Sequence, residues 1–339
     1  MKLAISLCTS SHAFLGGVVN QGKMWKDGLE LLGHSVDLVN YWDSYKWADY
    51  DAIIVLGMGL EHVSLINEIS KYNKHVISAP ILDPDPSISW NMFRIKARYS
   101  LGWFKHFSGF RGMRHLFYGF EQLNAYLVRS NYEADFLTKV FKIKRKRIFI
   151  VPLSYRNKDI NYFPEKEDFC FHVSRLDAPN KNVRRLIEAA KKYQFRLILA
   201  GFINGEDNKT LLLDQIRNYP NISYIGTLPD DKLNHYYEKA KVFALPSTNE
   251  GVGLVALEAA AYGAEILMTN LGGPQEYYKG MAELVNPYSI DEIGQAICKL
   301  MKEGKAQPQL MNYIKKEYSL RACSVKLEKV IISIIKTSC

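Results

Sequence analysis

The sequence predicts an α/β fold built as two successive Rossmann-like, doubly wound domains. Three observations carry that expectation. Short β-branched and apolar runs alternate with longer helical patterns, the signature of mostly parallel sheets. The alternation stops at a polar stretch without periodicity, "LSYRNKDINYFPEKED" (153–168), and then begins again. The chain has 339 residues, longer than a single core usually grows.

In the first half, strands are expected at 2–7, 35–40, 51–56, 75–79, 125–130 and 147–152. Each is a run such as "KLAISL" or "DAIIVL", apolar almost throughout, as a strand covered on both faces requires. Helices are expected between them at about 19–32, 61–72, 91–118 and 131–140. The second half places strands at 169–174, 195–201, 222–226, 242–246, 265–269 and 282–286. Helices there are expected at about 182–193, 207–218, 230–239, 254–262 and 289–303. A last helical stretch, 309–336, is expected to break near Ser319. The two domains are expected to span 1–154 and 155–317 and to face a cleft, with the helix 318–339 packing back on the first. Ligands of open parallel sheets bind at the carboxyl ends of the strands, so function is expected in the strand-to-helix loops.

Composition narrows the class. Apolar content of 47% and charged content of 23% are those of a soluble globular protein. Five scattered cysteines form no CxxC pair, which suggests neither a zinc site nor a disulfide framework and fits a reducing cytosol. No run approaches the roughly 18 apolar residues of a membrane span. The first residues, "MKLAISLCTSSHAFLGG", read as a strand entering a glycine loop rather than a signal peptide.

The net charge of +9 is concentrated. Residues 91–147 hold 13 Lys/Arg against 3 Asp/Glu, so the rest of the chain is near neutral. Within 90–120, Arg94, Lys96, Arg98, Lys105, Arg111 and Arg114 interleave with Trp90, Phe93, Trp103, Phe104, Phe107, Phe110 and Phe117. Basic residues beside amphipathic aromatics suit an anionic membrane surface. The plain alternative is a helical pair with aromatics in the core and charges in water; nucleic acid is the least favoured partner.

Several loops can carry chemistry. "HVSRLDAPNKNVRRLIEAA" (172–190) puts Arg175 and Lys181 just before an amphipathic helix, where two cations and a helix start suit a diphosphate. A solvated loop with incidental charge explains them too. "LPSTNEGVGLVALEAAAYG" (245–263) sets Glu250 and Glu258 eight positions apart, with Gly251 and Gly253 between them. Glycines there let backbone amides approach a phosphate. Glu258, one turn beyond Leu254, can accept from two vicinal ribose hydroxyls. Taken alone, helix capping by Asn249 or Glu250 explains the first carboxylate as well, and a surface salt bridge explains the second. "TNLGGPQEYY" (269–278) adds a Gly272-Gly273 turn with Glu276. In the first half, Gly16-Gly17 lies between strand and helix, but neither it nor Gly57/Gly59 completes GxGxxG, and no Walker pattern occurs.

Taken together, these motifs resemble the retaining glycosyltransferases of the large family four (glycosyl transferases group 1), which have the GT-B fold. Glu250 and Glu258 match the family's E-x7-E pair, and "SRLDAPNKN" resembles its GRxxxxKG, with Arg175 and Lys181 at the same six-residue spacing. "TNLGGPQE" resembles the usual S-x-x-G-G-x-x-E. The resemblance is close over about 170–300; in the first half only Gly16-Gly17 and "LVRSNYEADFL" match, and loosely.

The resemblance implies a metal-independent transferase that keeps the anomeric configuration, with a UDP- or GDP-sugar as substrate and no other cofactor. It assigns Gly16, Gly17, Arg175, Lys181, Glu250, Gly251, Val252, Gly253, Leu254 and Glu258 to the donor site. Arg175 and Lys181 would neutralise the diphosphate, Glu250 would face the transferred sugar, and Glu258 would hold the ribose. The implied acceptor is a glycan or lipid-linked saccharide of surface-polysaccharide biosynthesis, met in the cytoplasm at the inner membrane face. One departure stands out. Many relatives have a histidine after the fourth strand, where this chain reads "SAPILDPDPS"; His75 opens that strand, and Asp83, Asp85 and His12 are weak substitutes. The missing histidine leaves room for a catalytically inactive binding or scaffold protein, and a sugar-nucleotide epimerase or a phosphorylase is a further alternative.

Overall fold

The computed structural model describes residues 1–7, 17–57, 60–82, 93, 97, 123–156 and 159–337. The chain divides into two compact units, Met1–Ser154 with Leu320–Cys339, and Tyr155–Ser319. The helix expected over 91–118, and with it the basic aromatic segment, lies outside the described residues apart from Phe93 and Ala97.

The first unit is a parallel sheet of six strands among the described residues. They are β1 (Lys2–Leu7), β2 (Ser35–Leu38), β3 (Ala52–Leu56), β4 (Val76–Ala79), β5 (Ala125–Val128) and β6 (Ile148–Ile150), in the order β2-β1-β3-β4-β5-β6. All neighbours pair parallel. Alternate residues of one strand serve opposite faces: Ile53 and Val55 join one apolar cluster, Ile54 and Leu56 the other. That two-sided burial is why these strands read as unbroken apolar runs. Helices α1 (Gly17–Leu31), α2 (Leu60–Ile69) and α3 (Asn131–Val140) follow their strands. Ser130 caps α3 by accepting from the Glu133 amide, and Glu133 is buried in an ion pair with Arg129.

The second unit starts the pattern again. Its strands are β7 (Glu167–Val173), β8 (Leu197–Ala200), β9 (Ile222–Tyr224), β10 (Ala240–Leu245), β11 (Glu265–Thr269) and β12 (Glu283–Val285), ordered β12-β11-β10-β7-β8-β9 and all parallel. The helices are α4 (Val183–Tyr193), α5 (Glu206–Ile216), α6 (Asp230–Lys239), α7 (Leu254–Ala261), α8 (Ile290–Glu303) and α9 (Gln309–Tyr318). One face of the sheet packs Cys170, Leu197, Val242 and Leu267 against α4, α5 and α8. On the other, Phe171, Tyr237 and Phe243 meet edge-to-face at 5.8–6.1 Å. The chain order reverses between β7 and β10, the place where such sheets open a crevice for ligands.

Ser319 is extended (φ −62°, ψ 156°) and ends α9. The next helix, α10 (Leu320–Thr337), belongs to the first unit. Leu327, Ile331 and Ile334 enter its core beside Trp25 and Leu29. A Cβ on Gly28 would stand 1.8 Å from Ser324 Oγ, so α1 and α10 touch there through a residue without a side chain.

The stretch 153–168, expected to be a polar linker, is not passive. Leu153, Ser154 and Tyr155 are buried, and Arg156 and Lys166, at the start of the second unit, bond to Glu258 of α7 and to Tyr262 O just beyond it.

Candidate donor site

The loops after β7 and β10 flank the reversal point, and side chains sew them together. Asn182 closes the first loop in the left-handed region (φ 58°) and is buried; its amide donates to the carbonyls of Pro246 (2.8 Å) and Pro287 (2.6 Å). The Thr248 amide donates to Asn180 O at 2.8 Å, and Asn180 returns a bond to Asn249 O at 3.2 Å. Under this frame, Lys181 Nζ donates to Glu250 Oε2 at 2.7 Å. The fully buried Ser247 donates to the same oxygen at 3.1 Å.

Capping does not account for Glu250. The N-cap of α7 is Gly253, in the left-handed region at φ 71° and without a side-chain cap bond. A Cβ there would meet Met268 Cε at 2.8 Å and Leu245 Cδ2 at 3.2 Å, so both backbone and space call for glycine. Gly251, Val252 and Gly253 are buried, while Leu254 is partly exposed. The first amides of α7 precede its first backbone bond, Ala256 N to Gly253 O, and so supply the partial positive charge of a helix start.

Glu258 is placed differently from Glu250. It is fully buried, so it forms no surface salt bridge. Arg156 Nε donates to its Oε1 at 2.5 Å and Arg156 Nη2 to its Oε2 at 3.2 Å; Tyr237 donates to Oε2 at 3.0 Å. Burial pushes the Glu258 carboxyl up from its ordinary value, while the bonds and charge of Arg156 and the Tyr237 hydroxyl pull it down. Burial, then the Glu258 charge, also raises the Tyr237 phenol.

Arg175 is not drawn in with the others. Its side chain is 61% exposed, and its Nε lies 3.7 Å from Asp177 Oδ2. Gly16 lies outside the described residues, and Gly17 opens α1 with free space where a Cβ would be. In the loop after β11, Gly272 takes φ 78° and leads into a 3-10 turn, Pro274–Tyr277. Glu276 is exposed there. Among the described residues no group of three His, Cys, Asp or Glu side chains could hold a metal ion.

Sequence reasoning missed four contributors. Arg156 lay in the polar stretch, and Tyr237 in an ordinary amphipathic helix. Ser247 carried no motif. His172, inside the apolar "FCFHVS", was a visible signal: a titratable group in a buried strand must be satisfied. Its Nδ1 is 2.7 Å from Ala244 O, an acceptor only, so Nδ1 carries the proton. Burial, with the nearby Lys181 charge, lowers it to about 4 against the pull of that carbonyl bond. Neutral His172 therefore accepts through Nε2 from Ser174 Oγ at 2.8 Å.

Residues 155–317, nearly the whole second unit, match the family model described as glycosyl transferases group 1. The chain is 29% identical over 144 residues to O-antigen chain mannosyltransferase B of Escherichia coli, which is 40% of this chain and 38% of that protein. It is 27% identical over 207 residues to mannosylfructose-phosphate synthase of Agrobacterium fabrum, covering 52% and 45%. The matches thus span less than half the length of these relatives. Among solved structures, sucrose-phosphate synthase from Thermosynechococcus elongatus superposes with a TM-score of 0.75 at 13% identity, over 99% of this chain and 100% of that one. Anabaena HepE, solved in complex with UDP and glucose, gives 0.70 at 14% identity over 98% and 99%. At such identities the structures speak for the fold, two six-stranded parallel sheets with flanking helices. The ordered motifs of the second unit, the family match across it and the shared fold lead to one conclusion: residues 155–317 are a glycosyl transferases group 1 domain, and the chain has the GT-B fold.

Proposed function

We propose that the protein is a retaining, metal-independent glycosyltransferase. It moves a sugar from a nucleotide-sugar donor to a glycan or lipid-linked acceptor of surface-polysaccharide biosynthesis. The observation that carries this reading is the Lys181–Glu250 pair, held where the strand order reverses in the second unit.

Each residue then has a role in the chemistry. Cleavage of the donor's glycosidic bond leaves negative charge on the departing diphosphate. Lys181, the amides of Gly251 to Leu254 and the positive end of α7 stabilise that charge where it develops. Arg175, free to swing from its exposed position, joins them. Glu250 accepts hydroxyl protons of the transferred sugar and hands part of its Lys181 bond to the phosphate. Glu258 accepts from the ribose hydroxyls. HepE, a structure of the same fold, is known in complex with UDP-glucose, which supports a UDP-sugar donor; a GDP-sugar is the other candidate.

The acceptor and the location follow the charge of the sequence. The basic aromatic segment 91–120 suits an anionic membrane, and the mannosyltransferase among the relatives is named for an O-antigen chain. We place the protein at the cytoplasmic face of the membrane. No helix among the described residues is long and apolar enough to cross it.

A thermal-shift panel of UDP, GDP, ADP, CMP and their sugars tests the donor. A ligand at 100 times its dissociation constant stabilises by about 2.7 kcal/mol, and one nucleotide is expected to stand out. Glu258→Ala and Lys181→Ala are expected to lose most donor turnover while keeping the fold. Full transfer by both variants would overturn the reading.

A further inference from the structure

We propose that Arg156 is a positioning residue of the donor site, holding the buried Glu258 carboxylate ionised and oriented so that it can accept the vicinal hydroxyls of a nucleotide's ribose. This inference rests on the assignment of Glu258 to the ribose given above.

The geometry is specific. Glu258 is fully buried in the middle of α7, and a carboxylate in that position gives up its hydration. Three groups act on it from the elements packed around it. Arg156 comes from the segment that opens the second unit, and Tyr237 and Asp230 come from α6. Asp230 is acidic and favours the protonated carboxyl; Tyr237 donates one neutral hydrogen bond. Among the described residues only Arg156 supplies a positive charge to it, and it does so through two donors, one to each carboxylate oxygen. A fork of this kind fixes the plane of the carboxylate as well as its charge.

The same guanidinium governs access. Tyr237 is fully buried, whereas the Arg156 side chain is 31% exposed, so of the two described groups bonded to the carboxylate it is Arg156 that reaches solvent. A carboxylate offers about four lone-pair positions, and the three bonds to Glu258 leave one on Oε1. A first ribose hydroxyl takes that position beside Arg156, and the second takes the position now filled by Nη2, at 3.2 Å the longer of the two arms. Nε, at 2.5 Å, stays. Arg156 thus shares the carboxylate with the ligand instead of competing for it.

The test compares wild type, Arg156→Met, Arg156→Lys and Glu258→Gln. Binding of UDP, 2′-deoxy-UDP, GDP and 2′-deoxy-GDP is measured by calorimetry from pH 6 to 9. Wild type is expected to prefer the ribonucleotide of whichever base it binds, and Glu258→Gln to lose that preference. Absence of either effect overturns the ribose assignment itself. Given both, Arg156→Met is expected to weaken the ribonucleotide about tenfold or more at pH 7 and to recover toward pH 9 as Glu258 ionises. Arg156→Lys is expected to fall between, keeping the charge but not the fork. Binding by Arg156→Met that is unchanged, tighter or equally weak at every pH overturns the inference, and tighter binding would make Arg156 a competitor for the site.

Discussion

Lys181 Nζ lies 2.7 Å from Glu250 Oε2 although 69 positions separate the two residues, and both side chains remain partly open to solvent. The contact joins the loops after β7 and β10. An ion pair at partial exposure contributes little to stability, typically up to about 1 kcal/mol. Its consequence lies in placement: a cation and a carboxylate are held side by side at the carboxyl edge of the sheet.

From that placement, Lys181→Ala is expected to lower donor turnover about 10²–10³-fold, the usual effect of removing one group that stabilises developing charge. Urea denaturation is expected to show a stability within about 1 kcal/mol of wild type. Because the two residues share a bond, Glu250→Ala on top of Lys181→Ala is expected to cost less than the two single losses combined. Additive losses in kcat would show that the pair does not act as a unit.

The loop glycines make a structural prediction with an internal control. Gly253→Ala forces a Cβ onto φ 71° and against Met268 Cε at 2.8 Å, so thermal unfolding is expected to report a loss of about 1–3 kcal/mol. Gly17→Ala meets open space at the start of α1 and is expected to change stability by less than about 0.5 kcal/mol. Equal effects at the two positions would contradict the backbone argument.

The contrast between Gly253 and Arg156 also shows what the sequence could disclose. Strand and helix positions were legible because burial on both faces leaves apolar runs, and the break at Ser319 because one helical period could not continue through it. The meeting of Lys181 with Glu250 was foreshadowed because both stand in glycine-bearing strand-to-helix loops, which parallel sheets gather at one edge. Arg156 and Tyr237 reach Glu258 from 102 and 21 positions away. No local pattern encodes such an encounter; only the folded chain brings a polar connecting segment onto a buried helix. The exposure of Arg175 was equally out of reach, since an arginine in a loop reads the same whether it points to a ligand or to water.

The proposed membrane association rests on the charge density of the sequence. Each basic residue near an anionic surface contributes about 1 kcal/mol. Neutralising four of Arg94, Lys96, Arg98, Lys105, Arg111 and Arg114 is expected to release the protein from phosphatidylserine-containing liposomes in a flotation assay, and raised salt is expected to do the same. Wild-type protein that ignores such liposomes at low salt would remove the membrane from the proposed function.

Lys166 is expected to give the second unit a pH-dependent stability. Its ammonium donates to the carbonyls of Tyr237 (3.2 Å) and Glu238 (2.8 Å) at the end of α6, and to Tyr262 O (2.6 Å) at the end of α7. One side chain therefore ties together the carboxyl ends of the helices that carry Tyr237 and Glu258. Burial lowers the amine from 10.5 to about 7, with the nearby Glu238 charge opposing and Lys239 assisting. In the unfolded chain the group stays protonated up to its ordinary value, so between pH 7 and 10.5 the unfolded state binds more protons. Stability of wild type relative to Lys166→Met is then expected to rise with pH across that window, with a slope of at most about 1.4 kcal/mol per pH unit. Below pH 7 the relative stability is expected to be flat, because both states are protonated. Urea unfolding of the two proteins at pH 6, 7, 8 and 9 reads the difference directly. If the difference stays constant from pH 7 to 9, the three carbonyls hold the ammonium charged and Lys166 acts as a fixed cap on both helix ends.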